Sequence, residues 1–220
     1  MNFEPLPRDF YAPPADIVAP ALLGHFLLRK VGDDWLGGEI VETEAYLVGD
    51  PACHAYVRET PRNAMMWGEM GFAYVFRIYG SYFCVNAVTR PAGLAEAVLI
   101  RAIEPRFGLE TMKSLRPVEK ERDLTNGPSK LCLALDIDRD ENGLDLTSPI
   151  SPLIVARNPD RESFLESRAP QIRAARIGLS RGADWPLRWY LDGSKFVSKR
   201  GLAHVGPWAM PRDGAESLAQ

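Results

Sequence analysis

The chain has 220 residues, 46% hydrophobic and 25% charged, with a net charge of −3. That is the balance of a globular domain with enough chain to bury a good core. It excludes a membrane-spanning apolar run, a disordered polyelectrolyte and a uniformly basic nucleic-acid binder. Three cysteines (Cys53, Cys84, Cys132) at unrelated spacings form neither a disulfide framework nor a CxxC motif. The N-terminal residues Met1–Arg8 lack a secretory signal, so an intracellular protein is expected.

In chain order, Asp16–Leu23 follows Pro13-Pro14 and reads as a short helix, with Pro20 inside it and Gly24 ending it. His25–Lys30 reads as a strand, Val31–Asp34 as a turn, and Trp35–Leu47 as a second strand. Within it, alternation places Glu42, Glu44 and Tyr46 on one face and Val41, Thr43 and Leu47 on the other. Two carboxylates beside an aromatic ring suit water activation next to a flat substrate, or else a solvated acidic edge. Val48–Gly71 has no period and reads as a long loop. Ala73–Tyr79 and Tyr82–Thr89 flank Gly80-Ser81, a two-residue turn that puts Tyr79 at a hairpin tip. Strict pairing about that turn sets Asn86 opposite Val75 and on the face away from Phe76, so a shared pocket requires a bulge or twist.

Ala97–Ile103 is an apolar strand interrupted by Arg101, whose guanidinium calls for an acid such as Glu44 if it is buried. Helices are expected at Gly108–Leu115 and Pro128–Leu135, where proline suits the first turn. Short strands at Leu153–Ala156 and Leu187–Leu191 and a helical Pro170–Arg176 complete the pattern. Hairpins with interspersed helices and no βαβ rhythm predict one α+β domain with a mostly antiparallel sheet. Between Arg168 and Arg200 there are eight basic and two acidic residues. This segment is either a phosphate-facing surface or a solvated charged face.

Metal chemistry has little support: the three histidines, His25, His54 and His204, show no HxxxH or deaminase spacing. No GxSxG elbow, Walker loop or GxGxxG is present, so ATP or NAD dependence is not indicated.

Seven strings in order, Glu42-Thr43-Glu44-Ala45-Tyr46, Thr60-Pro61-Arg62-Asn63, Ile78-Tyr79-Gly80, Phe83-Cys84-Val85-Asn86, Leu99–Pro105, Asn126–Cys132 and Gly182–Arg188, resemble the alkyladenine (mammalian-type 3-methyladenine) DNA glycosylases. The match runs from about Ala21 to about Ser198, and the family resemblance adds a protruding β-hairpin to the expected fold. The resemblance implies a monofunctional base-excision-repair enzyme that flips alkylated or deaminated purines out of duplex DNA and hydrolyses the N-glycosidic bond without metal or cofactor. It makes Glu44 the general base and Arg101 a holder of the attacking water. Tyr46 and Phe76 become stacking walls, His54 a contact to the base or its phosphate side, and Asn86 a block to the exocyclic amine of guanine. Ile177 is the match for a backbone carbonyl that touches the water, and Tyr79 intercalates. Arg62, Lys130, Arg176 and Arg188 are expected at the DNA backbone.

Phe76 replaces a pocket tyrosine of the family and Ser81 a larger residue beside the wedge; both bear on substrate range and insertion. The expected partner is double-stranded DNA with damaged purines, met by a monomer in a prokaryotic cytoplasm at the nucleoid. The alternatives are a non-catalytic nucleic-acid-binding module of the same fold, a hydrolase of free nucleosides, and a glycosylase that is also a lyase.

Overall fold

A computed structural model describes residues 2–211. The first helix, α1 (Ala15–Leu22), starts at Pro14, and the carboxylate of Glu96 accepts its first free N–H, from Ala15, at 2.9 Å. Strands β1 (Phe26–Val31) and β2 (Asp34–Tyr46) pair antiparallel and lead into the long loop. Strands β3 (Ala73–Ile78), β4 (Tyr82–Thr89) and β5 (Glu96–Phe107) form a meander. Helices α2 (Leu109–Leu115) and α3 (Pro128–Ala134) follow. The chain then adds β6 (Leu153–Ala156), α4 (Arg161–Ser167), β7 (Gln171–Ala174) and β8 (Arg188–Leu191).

The main sheet runs β3-β4-β5-β2-β1-β6, and every strand pairing is antiparallel. β2 serves two partners on one edge: its first half pairs with β1, and β8 takes over opposite Glu42, Thr43 and Glu44. Near its start β2 is pressed between β1 and β5, which explains Gly37-Gly38. A Cβ on Gly37 would stand 2.0 Å from the Leu27 carbonyl oxygen, and one on Gly38 1.8 Å from that of Glu104. One face of β2 turns Val41 and Ala45 into the principal core, and the Thr43 hydroxyl donates to the Ala19 carbonyl of α1 at 2.9 Å. On the opposite face the 48–71 loop folds back to bury Cys53, Ala55 and Met66 against Tyr74 and Ala97.

The fold is the expected α+β type, with three local corrections. The β3–β4 turn holds three residues, because Ile78 pairs with Tyr82 and leaves Tyr79, Gly80 and Ser81 in the loop. Asn86 is therefore opposite Tyr74 and shares a face with Phe76, so no bulge is needed. Residues 170–176, expected as helix, hold strand β7: Gln171–Ala174 has β8 to pair with, and short-range propensity yields to that ladder.

Candidate active site

A row of directly opposed residues crosses four strands: Glu44 faces Leu99, Leu99 faces Asn86, and Asn86 faces Tyr74. Strands lie about 4.8 Å apart, so the row spans about 14 Å from the carboxylate to the aromatic ring. Leu99, Asn86 and Tyr74 floor a cavity of about 380 Å³ walled by Tyr46, His54, Phe76, Arg101, Ile177 and Tyr79. Glu44 lies beneath this wall and is fully buried, covered by residues that face the cavity.

The pairing of β2 with β5 shifts on either side of Glu42, and the shifts leave Val41 and Arg101 without opposed partners. Such a bulge re-aims the side chain it carries. Arg101 reaches both acids, with Nε 3.1 Å from Glu42 and Nη1 3.1 Å from Glu44. Burial pushes its pKa down, but the charges of Glu44 and Glu42 outweigh this and hold it above the ordinary arginine value.

The two glutamates differ in what occupies their oxygens. Glu42 accepts from Arg101, from Arg188 at 2.9 Å, and from the Ser198 N–H at 2.7 Å and hydroxyl at 2.9 Å. Three of those donors crowd onto Oε1 and the Ser198 N–H alone takes Oε2, and of the donating residues Arg188 and Ser198 do not line the cavity. Glu44 accepts on Oε2 from the Tyr46 hydroxyl at 2.9 Å and on Oε1 from the Ile177 N–H at 2.8 Å, is ion-paired there with Arg101, and all three partners line the cavity. One acceptor site of Glu44 is left over. Burial, followed by the charge of Glu44, raises the Tyr46 pKa well above its ordinary value, so its hydroxyl stays a donor.

Several site residues stand apart from their expected places. Arg176 is internal: it is paired with Asp50, donates to the Ala45 carbonyl at 2.9 Å, and stacks 4.7 Å from the Tyr46 ring centre. Arg188 is likewise buried against Glu42. Neither offers a surface to a DNA backbone, because each spends its charge on a buried carboxylate. Five of the eight basic residues between 168 and 200 are in ion pairs: Arg168, Arg176, Arg188, Lys195 and Arg200. The segment is thus largely structural. Arg62 is exposed, and Lys130, half-buried on α3, donates to Asn126 at 2.7 Å. Ile177 meets Glu44 through its amide N–H.

Tyr79 is 88% exposed at the hairpin tip and held at φ 44°, a left-handed conformation that is costly for a bulky residue. His54 Nδ1 lies 2.9 Å from the Tyr74 hydroxyl, and its ring meets Phe76 edge-on at 4.4 Å. Partial burial and the nearby Arg62 lower its pKa, so the imidazole is neutral at pH 7. Asn86 donates to the Tyr74 carbonyl at 2.9 Å, which fixes the orientation of its amide.

Sequence reasoning did not single out Tyr74, Asp50, Asn63 or Ser198. Asn63 anchors the loop that carries His54, donating to the His54 carbonyl at 2.8 Å and accepting from the Thr60 N–H at 2.6 Å. Tyr74 was the accessible one, two residues before Phe76 on the same face. The three cysteines are free and buried, and burial pushes Cys84, which lines the cavity, up to about 11. It is a neutral thiol at pH 7. Among the described residues, no three His, Cys, Asp or Glu side chains gather as a metal-binding group, and no helix is long and apolar enough to cross a membrane.

A family model for methylpurine-DNA glycosylase (MPG) matches residues 9–195. The chain is 46% identical over 195 residues to a Carboxydothermus hydrogenoformans protein named "Putative 3-methyladenine DNA glycosylase", covering 89% of this chain and 99% of that one. A Methanoculleus marisnigri protein of the same name is 45% identical, with the same coverage. A Francisella tularensis protein, also so named, is 44% identical over 83% of this chain and 92% of its own. These relatives are prokaryotic. With its carboxylate–arginine centre under an aromatic cavity and this match over most of its length, the chain belongs to the methylpurine-DNA glycosylase family.

Proposed function

We propose that this protein is a monofunctional 3-methyladenine DNA glycosylase that flips an alkylated purine nucleotide into the cavity and hydrolyses its N-glycosidic bond. The single observation that carries the choice of base is that all three partners of Glu44 (Tyr46, Ile177 and Arg101) line the cavity and leave an acceptor site on its Oε2, whereas Glu42 is held by Arg188 and Ser198 outside the lining. Water fills that site. Its oxygen attacks C1′ of the sugar, the bond from C1′ to the purine nitrogen breaks, and the electron pair leaves with the base. Glu44 takes the water proton, and the product is an abasic sugar with a hydroxyl on C1′.

A purine alkylated on a ring nitrogen carries positive charge and leaves as a neutral molecule, so the leaving group needs no proton. Positive charge on the base also favours the faces of aromatic rings such as Tyr46 and Phe76. Positive charge developing on the sugar is stabilised by the Glu44 carboxylate. Because Glu44 is fully buried, the wall of Tyr46, Arg101 and Ile177 shifts to admit the water as the nucleotide enters. Tyr79, at the exposed tip, fills the gap that the flipped base leaves in the stack. Among the described residues no lysine lines the cavity, which supports a water nucleophile over an amine-dependent lyase. Duplex DNA is the partner, in a prokaryotic cytoplasm, and a monomer suffices because one chain supplies every group named.

The test is single-turnover incubation with duplexes carrying one 3-methyladenine-type, 7-methylguanine, hypoxanthine or etheno-adenine residue, followed by alkaline cleavage of abasic sites. Cleavage by the wild type that Glu44→Gln abolishes supports the reading. Binding without cleavage of any lesion overturns it in favour of a damage-binding module.

A further inference from the structure

Along the edge strand β3 of the β3–β4 ribbon, adjoining the base cavity and reaching round to the ribbon's other face, there is a second, open groove. By strand alternation, Arg77 and its cross-strand partner Phe83 point to that side, while Phe76 and Cys84 point to the cavity. Arg77 lines the groove together with Arg62 and Arg139, and Phe76, Ile78 and Tyr79 line both groove and cavity along the rim where they meet.

The groove has fixed walls. Asn142, close after Arg139, accepts from the Val75 N–H of β3 at 2.9 Å, and the neighbouring chain bonds β3 twice more, from Gly143 to Ala73 and from Ala73 to Leu144, each at 2.8 Å. The turn that carries Arg139 is thereby pinned to the edge of β3. Arg62 is drawn to the same strand, donating to the Arg77 carbonyl at 3.2 Å.

Among the described residues, none of these three arginines is in an ion pair, and no Asp or Glu lines the groove. The acidic neighbours of Arg139 do not reach it: Asp138 caps the turn, accepting from the Asp140 N–H at 2.8 Å. Elsewhere most arginines are spent on carboxylates, so three unpaired guanidinium groups in one groove form a built concentration of positive charge. Planar guanidinium forks match phosphate oxygens.

We propose that the Arg62–Arg77–Arg139 groove is a phosphodiester-binding site. It holds the DNA backbone that runs past the wedge on the side away from the base cavity. The proposal rests on the reading of Tyr79 as the wedge. With the cavity on one face of the ribbon and phosphates clamped on the other, the tip is fixed in register with the nucleotide to be flipped.

The experiment measures binding of undamaged and lesion-bearing duplexes between 50 and 300 mM salt for wild type, Arg77→Gln, Arg139→Gln and the double variant. Arg157→Gln is the charge control; Arg157 follows β6 at the opposite edge of the sheet and faces Glu4 at 3.6 Å. Each groove variant is expected to lower the slope of log K against log salt by about 0.9 and, extrapolated from 1 M, to weaken binding about eightfold at 0.1 M. The double variant loses both contacts, and the control keeps the wild-type slope. Unchanged slopes in the groove variants, or an equal fall in Arg157→Gln, overturn the site. Wild-type excision of the lesion duplexes is read in parallel: excision with unchanged slopes removes the groove alone, whereas reduced slopes without excision keep the groove and remove the enzymatic reading.

Discussion

Replacing Glu44 by Gln removes a charge while keeping the shape of the side chain. Its amide oxygen can keep the Ile177 N–H and Arg101, and its NH2 can donate to the Tyr46 hydroxyl, which reverses its role. Arg101 retains Glu42 at 3.1 Å, so no buried charge is stranded and the cost in stability is about 1–3 kcal/mol. Excision should fall much further. A lost general base costs about 10²- to 10⁴-fold, or about 3–5 kcal/mol of barrier. Glu42→Gln is the matched contrast. It leaves Arg188, 2% exposed, without its carboxylate, which should cost about 3–5 kcal/mol and lower Tm by about 6–20 °C. Single-turnover excision and thermal unfolding on both variants separate the roles: Glu44→Gln folds and does not cleave, while Glu42→Gln unfolds early. Full excision in Glu44→Gln, with excision abolished in a Glu42→Gln protein of wild-type Tm, would refute the choice of Glu44 as the base.

Asp50→Asn strands the buried Arg176 and should destabilise by about 3–5 kcal/mol in urea unfolding. Excision should fall with it, because Arg176 backs the Tyr46 ring. Tyr79→Ala removes an exposed ring held at positive φ and should leave Tm unchanged, while excision under subsaturating protein falls about 10- to 100-fold from loss of a stacking wedge worth a few kcal/mol. His25 is buried, and burial followed by the charges of Arg161 and Arg157 lowers its pKa to about 4. The unfolded chain takes up that proton near pH 6.5 and the folded one only near pH 4, so stability is present above 6.5 and is lost as pH falls to 4, by about 3 kcal/mol. Urea unfolding across that window should show the loss, and His25→Gln should flatten it.

The sequence alone determined what depends on short-range pattern. The period of two from Trp35 to Leu47 set Glu42, Glu44 and Tyr46 on one face, because side chains alternate wherever a strand forms, and the charge of Arg101 in an apolar strand demanded a carboxylate. The resemblance to a glycosylase family rested on strings of a few residues, which survive any uncertainty about how they pack. Tertiary structure decided whatever depends on distant partners. Arg176 looked like a surface cation until the fold brought Asp50, 126 positions earlier, against it. Arg62, Arg77 and Arg139 gather in one groove only because the 139–142 turn hydrogen-bonds the edge of β3. Register was decided there too: one extra residue in the Tyr79–Ser81 turn put Asn86 beside Phe76, since a shift of one position exchanges the faces of a strand. Glu44 was separated from Glu42 by the Ser198 N–H, the Ile177 N–H and Arg188, donors far away in the chain whose arrival no spacing within β2 encodes.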